Sequence, residues 1–299
     1  MRARTPAGAL RLLHVSDVHF GLPAVPRQVE GVAQLVATEP FDAIIVSGDV
    51  SQRARIGEFQ AARLWLDLMR LHAPVLVVPG NHDTQWWEAP LGLGDIARRH
   101  RKFRSWVGDD VEPVLRVEAA TARADGTREA ATLVGLLSAH GIRLATLTTN
   151  PRHLSVIGLV REAQWALVAE RFRAAPAGDA RVLVLHHNLR RGRLSNRWGL
   201  RHGEESLWRF ARSGAELACC GHDHEEQAAQ LSADEAGPGG HRAIISCAGT
   251  ISLRSRGFRP SSVNEIVIDR DTIAIASRMW DGAGFAPADP VSFPRVRHP

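Results

Sequence analysis

Asp17-Val18-His19, Gly48-Asp49, Gly80-Asn81-His82-Asp83, His186-His187 and Gly221-His222-Asp223-His224 are the residues of this chain whose types could do chemistry together. They offer imidazole nitrogens, carboxylate oxygens and an amide oxygen but no thiolate, a mixture that suits manganese, iron, zinc or cobalt. Together they supply about the ligand set of a two-metal hydrolytic centre. A single Asp-x-His triplet is common, and His82 or His187 alone would read as a polar residue near a surface. Five clusters in order, each at the same point relative to an apolar run, are much harder to reach by accident.

Those runs are Leu10 to Val15, Ala43 to Val46, Val75 to Val78, Val182 to Leu185 and Leu217 to Cys220. Apolar runs of this length, ended by glycine or a polar residue, predict buried strands with loops at their carboxyl ends. Between runs, Val29, Val32, Ala33 and Val36 form one helical stripe, and Leu64, Trp65, Leu68 and Leu71 another. Strand, helix and strand in alternation imply an α/β sheet of largely parallel order, with sites beyond the carboxyl ends of its strands. In an extended segment side chains at i and i+2 point the same way, so Asp17 with His19, and His222 with His224, are expected to converge. Gly48, Gly80 and Gly221 precede ligands, where the lack of a Cβ lets the backbone turn sharply and come close.

The order Asp-x-His, Gly-Asp, Gly-Asn-His-(Asp/Glu), His and Gly-His-x-His resembles the calcineurin-like metallophosphoesterase superfamily, and all these blocks lie between Asp17 and His224. The segment beyond, with Ala248-Gly249-Thr250, the Ser/Arg-rich stretch to Ser262 and Trp280-Asp281-Gly282, is similar to bacterial members related to cyclic-nucleotide phosphodiesterases. The resemblance implies a four-layer αββα sandwich of two mixed sheets. It also implies two divalent or mixed-valence transition metal ions. One would be held by Asp17, His19, Asp49 and His224, the other by Asp49, Asn81, His186 and His222, with Asp49 as the bridge. Such a centre stays net positive and hydrolyses phosphate esters by attack of a metal-bridging hydroxide. His82 is then the catalytic residue that stabilises or protonates the leaving oxygen, oriented by Asp83, for which a capping role is the equal alternative. Asn81 and His187 are candidates to touch substrate as well. Many relatives continue the paired His with Pro, whereas Asn188 and Leu189 follow here.

The 299 residues suit one two-sheet domain spanning 1–299, with metal-ligand blocks at 17–224, C-terminal strands at 242–280 and an extended, Pro-spaced tail at 286–299. Ala119 to Ala130 and Ala233 to Gly240 read as hairpin or surface loops. No apolar stretch approaches a membrane span, and Arg11 interrupts any signal core. A cytoplasmic enzyme is expected. Cys219, Cys220 and Cys247 accordingly read as reduced, buried thiols. The formal charge of +5 is carried by arginine, since Lys102 is the only lysine. Arg190 and Arg191, in the arginine-rich loop after His186, are candidates to grip phosphate, with a solvated loop as the even alternative. Trp86, beside Trp87, could stack a base at the mouth of the site.

The expected function is hydrolysis of a small phosphodiester, a cyclic nucleotide or another organophosphate. A DNA nuclease of the same superfamily is the alternative, although such relatives carry DNA-binding regions for which little of this chain remains. A phosphomonoesterase is a lesser possibility. A non-catalytic scaffold is disfavoured by the complete ligand set.

Overall fold

The computed structural model describes residues 5–85, 96–139, 157–255, 257 and 259–297. The first half runs Leu10–Val15 (β1), Pro26–Thr38 (α1), Ala43–Val46 (β2), Ile56–Arg70 (α2), Val75–Val77 (β3), Ile96–Arg99 (α3), Arg101–Trp106 (α4), Val114–Glu118 (β4) and Ala130–Gly135 (β5). The second half continues with Glu162–Ala174 (α5), Ala180–Val184 (β6), Gly203–Arg212 (α6), Leu217–Cys220 (β7), Gln227–Gln230 (β8) and Ala233–Ala236 (α7). Ile244–Cys247 (β9), Ser262–Ile268 (β10), Thr272–Trp280 (β11), Phe285–Ala286 (β12) and Val291–Pro294 (β13) complete it.

Two mixed sheets form, ordered β12-β11-β10-β1-β2-β3, with β13 also on β11, and β4-β5-β6-β7-β9-β8. β1, β2 and β3 are parallel, as are β5, β6, β7 and β9, with antiparallel strands at the flanks. The parallel strands are apolar throughout because both of their faces are buried. In β1, Leu10 and Leu12 enter the core between the sheets, while Leu13 and Val15 enter the core beneath α1, α2 and α4. Helices α5, α6 and α7 cover the second sheet through a third core that includes Trp165, Phe172 and Phe210. The layers are therefore αββα.

Three expectations need correction. In α2 the sheet takes the face carrying Phe59, Ala62, Trp65, Leu66 and Met69, whereas Leu64, Leu68 and Leu71 are exposed. The two stripes of helical spacing share Trp65, and the one that adds Phe59 has the larger aromatic surface to bury. Residues 233–236 form a helical turn rather than a loop, capped by Ser232. The supposed tail is docked, with β13 pairing antiparallel to β11. Its anchor is Arg295, whose side chain is 1% exposed and donates to Glu216 at 2.8 and 3.1 Å and to Glu129 at 2.7 Å.

Replacing Arg295 with Ala strands two carboxylates that the fold keeps nearly dry. Unfolding in urea should show a loss of about 3 kcal/mol, the scale of breaking a buried ion pair. A loss below about 1 kcal/mol, typical of a surface pair, would mean that the strand pairing alone holds the segment.

Candidate metal centre

The carboxyl ends of β1, β2 and β3 in one sheet and of β6 and β7 in the other meet at one edge of the sandwich. There the chain turns by an unfavourable route. Asp17, His19, Asp49, His222 and His224 all have φ between 51° and 73°, in the left-handed region. For a residue with a side chain this costs about 1 kcal/mol or more each. Asp17–His19 and His222–His224 thus converge through left-handed turns, not as the extended segments that their i, i+2 spacing suggested. Glycine serves close approach here. A Cβ on Gly80 would stand 2.1 Å from Asp49 Oδ1, and one on Gly221 would stand 1.8 Å from Ser16 Oγ.

Seven donors come together as two sets that share one carboxylate. In the first, His224 Nε2 lies 3.0 Å from Asp17 Oδ1 and 3.3 Å from His19 Nε2. In the second, Asn81 Oδ1 lies 3.1 Å from His186 Nε2 and 3.0 Å from His222 Nδ1. Asp49 Oδ2 stands between them, 3.8 Å from His19 Nε2 and 3.4 Å from His186 Nε2. Ligands about 2.1 Å from a common ion are separated by roughly 3.0 to 3.4 Å in octahedral or tetrahedral geometry. Of these separations, those within each set and from Asp49 to His186 fall in that range, and only the 3.8 Å from Asp49 to His19 exceeds it.

The protons are arranged for the same purpose. His186 Nδ1 is 2.8 Å from the carbonyl of Ser47, and His224 Nδ1 is 2.8 Å from the carbonyl of Arg254. A carbonyl only accepts, so each Nδ1 carries the hydrogen and each Nε2 turns toward the cluster, as metal-binding histidines are oriented elsewhere. Asp17 Oδ1 is buried with no hydrogen-bond donor. Asp17 and Asp49 are held well below the usual carboxylate range, because the surrounding imidazoles outweigh the burial that would raise them. His222 is lowered to about 3 by burial and by the charge of His186. His186 goes the other way. Burial lowers it, but the carboxylate of Asp49 outweighs that and raises it to about 9.

The remaining candidates fall in different places. His82 lies against the first set, its ring edge-on to His19 with centroids 4.9 Å apart. Asp83 does not orient it. The Asp83 carboxylate accepts from the backbone N–H groups of Val50, Ser51 and Gly80 and from Ser51 Oγ, bracing the loops after β2 and β3. Burial and the charge of Asp49 push it up to about 7. His187 is fully buried, bonded to Ser138 Oγ at 2.9 Å and tilted over the ring of His222. Arg190 pairs with Glu235 at 2.6 Å, and Arg191 lies over Trp198. Both line a cavity of about 530 Å³ with Trp208 and Gln227, whose lining includes none of the seven donors. Trp86 and Trp87 lie outside the described residues. Arg254 and Gln52, which bond His82, were missed, and no spacing rule points to them.

Residues 10–226 match the family model described as calcineurin-like phosphoesterase. The chain belongs to that family. Members of this family use divalent metals, in keeping with the donor sets above. Over 87 residues the chain is 36% identical to the glycerophosphodiester phosphodiesterase GpdQ of Enterobacter lignolyticus (strain SCF1), a match taking in 24% of this chain and 29% of that protein. It is similar in structure to purple acid phosphatase PPD1 from yellow lupin (Lupinus luteus) seeds, with a TM-score of 0.66 at 10% identity over 96% of this chain and 54% of that one. PhoD gives 0.60 at 9% identity, over 97% of this chain and 69% of the other. GAP50, the anchor in the inner membrane complex of Plasmodium, gives 0.57 at 12%, over 97% and 90%. At these identities the likeness to the three structures is one of fold alone. The chain spans about half the length of the lupin phosphatase. Among the described residues, no helix is long and apolar enough to cross a membrane.

Two outcomes follow from the geometry. Wild-type protein loaded with manganese should retain two ions per chain by elemental analysis, and Asp49→Ala should retain fewer than one, since both sets lose a member. Saturation of the wild type at a single ion would sink the shared-carboxylate arrangement. The second concerns protons. In the absence of metal His186 holds a proton below about pH 9, and a ligand nitrogen must release it, so loading at pH 7 expels a proton and affinity rises with pH toward 9. Calorimetric titration in buffers of different ionisation heat reads that proton; a heat independent of buffer contradicts it.

Proposed function

We propose that this chain is a phosphodiesterase acting on a small organophosphate diester or cyclic nucleotide. We place it in the cytoplasm, with two divalent ions drawn from manganese, iron, zinc and cobalt. The observation that carries the reading is Asp49 Oδ2, set 3.4 to 3.8 Å from a nitrogen of each donor set. Asp17, His19, Asp49 and His224 would hold one ion; Asp49, Asn81, His186 and His222 would hold the other. When bound, the ions supply a nucleophile from water at neutral pH and positive charge for the departing oxygen.

The chain's own residues do the positioning. The carbonyls of Ser47 and Arg254 keep one hydrogen of His186 and of His224 on the outward nitrogen, so the inward nitrogen of each ring is the one turned toward the cluster, and that of His186 becomes available once its extra proton leaves. Two carboxylates among seven donors leave the loaded centre net positive, which draws a phosphate anion. Likeness to the glycerophosphodiester phosphodiesterase favours diesters over monoesters. The pairing of Arg190 with Glu235 and the placement of Arg191 on Trp198 weaken the case for a DNA groove there. The buried, free thiols of Cys219, Cys220 and Cys247 suit a reducing compartment.

The test is reconstituted protein offered aryl phosphodiesters, aryl phosphomonoesters, cyclic nucleotides and linear DNA at low and moderate salt. Small diesters should be turned over fastest, with little salt dependence, because a single phosphate releases few counterions. His186→Ala should abolish turnover, whereas joint replacement of Arg190 and Arg191 by Ala should change it by less than about fivefold, the scale of surface ion pairs. Steeply salt-sensitive cleavage of DNA with negligible turnover of small diesters would favour the nuclease.

A further inference from the structure

Residues 250–254 are strapped to the loop that follows β1. Thr250 Oγ1 donates to the carbonyl of Asp17 at 2.7 Å, Ser252 bridges to Ala24, and the N–H of Leu253 donates to Pro23 at 2.8 Å. From this strap Arg254 reaches the centre twice. Its carbonyl holds His224, and its Nη1 lies 2.9 Å from His82 Nε2 and 3.3 Å from Gln52 Oε1. On the far side of the ring, His82 Nδ1 is 2.7 Å from the carbonyl of Gln52. A carbonyl can only accept and a guanidinium can only donate. His82 therefore carries its hydrogen on Nδ1, directs it to Gln52, and offers Nε2 as an acceptor. In this arrangement the ring has no proton to give a leaving group.

Resting on the phosphoesterase reading above, we propose that Arg254 is the side chain that meets the substrate, donating to a non-bridging phosphate oxygen, and that His82 is a positioning residue that aims it. Location and charge both support the assignment. His82 sits on the cluster, its backbone N–H donating to Asp49 Oδ1 at 2.8 Å, so the guanidinium that bonds its ring lies one hydrogen bond further out from the donors. Arg11, Arg116, Arg278 and Arg295 are each matched by carboxylates. Arg254 is half-buried, and among the described residues no carboxylate pairs with it and no acceptor engages its Nε or Nη2. A cation beside a site for two metal ions needs an anion. The planar fork of arginine, with donors left over, suits a phosphate oxygen.

The experiment compares Arg254→Ala, Arg254→Lys, His82→Ala and His82→Gln, each loaded with manganese and shown by elemental analysis to hold as much metal as the wild type. Inorganic phosphate is the probe, with its affinity read by calorimetry. Arg254→Ala should weaken phosphate about tenfold to a hundredfold, the range for one charge-assisted hydrogen bond, and Arg254→Lys should recover part of the loss as a point charge. A glutamine amide at position 82 places an oxygen near where Nε2 stands, accepting from Arg254 but unable to act as an acid. His82→Gln should therefore keep phosphate affinity and most of the turnover, while His82→Ala loses both. In the metal-free protein, nitrogen NMR should find His82 protonated on Nδ1, with an Nε2 signal that shifts in Arg254→Ala. Phosphate affinity and KM unchanged in Arg254→Ala, or His82→Gln as slow as His82→Ala despite intact phosphate binding, would overturn the role; the second result would return His82 to proton donor. A wild type that binds metal but neither binds phosphate nor hydrolyses any ester removes the phosphoesterase reading and this role with it, whereas loss of the role alone leaves hydrolysis intact.

Discussion

Electron-rich nitrogens and oxygens held 3.0 to 3.8 Å apart repel one another unless a proton or a metal ion lies between them. Everything around this centre answers that constraint. Five of the seven donors sit on left-handed backbone, each at a cost the fold must offset elsewhere. The offset is carried by the strands beneath, which end directly below the donors and lie in cores with almost no solvent exposure, such as Val15, Val46, Val184 and Cys220. The raised His186 expresses the same repulsion, because a proton is the smallest cation that can relieve it.

The donors come from two sheets, so the alignment of one sheet on the other matters as much as either alone. Apolar packing between the sheets gives cohesion but little directional preference. Direction comes from a polar network within that layer. His14 Nε2 is 2.9 Å from Ser47 Oγ, and His14 Nδ1 reaches Ser246 Oγ of the second sheet at 3.4 Å. Asn264 donates to Ser246 Oγ and to the carbonyl of Cys247, at 2.9 and 2.8 Å. Buried groups of this kind lose heavily if their partners slide away. Ser47 also gives His186 its carbonyl, so the contact that aligns the sheets and the contact that aims a ligand come from the same residue.

The candidate donors were legible in the sequence because their chemistry is restricted to a few side chains, and those side chains fall where apolar runs stop. The strand runs were legible because parallel strands buried on both faces tolerate few polar residues. The backbone partners were not. Any residue can present the carbonyls that hold His186 and His224, so nothing in the types of Ser47 or Arg254 announces the task. Asp83 had two equal readings, and the structure takes the capping one. Adjacency to His82 suggested a partnership, while the loop turns its carboxylate onto the backbone of residues 50, 51 and 80. The α2 face and the docking of β13 depended on tertiary competition, between two apolar stripes in one case and for the buried carboxylates Glu129 and Glu216 in the other.

Arginine content likewise has no single meaning in this molecule. Arg278 and Arg11 share Glu39, whose carboxyl stays at about 2 because their hydrogen bonds and charges outweigh its burial. Arg295 is consumed in the same manner by Glu216 and Glu129, and Arg190 by Glu235. A formal charge of +5 therefore says little about affinity for anions, since many of these cations already face a carboxylate. The distinguishing feature of a binding arginine is the absence of such a match together with acceptors that fix its direction. Among the described residues around the metal centre, Arg254 meets both conditions, held by His82 and Gln52 without a carboxylate. Specificity for phosphate then depends on which cation has been left uncompensated, and the count of arginines in the chain does not decide it.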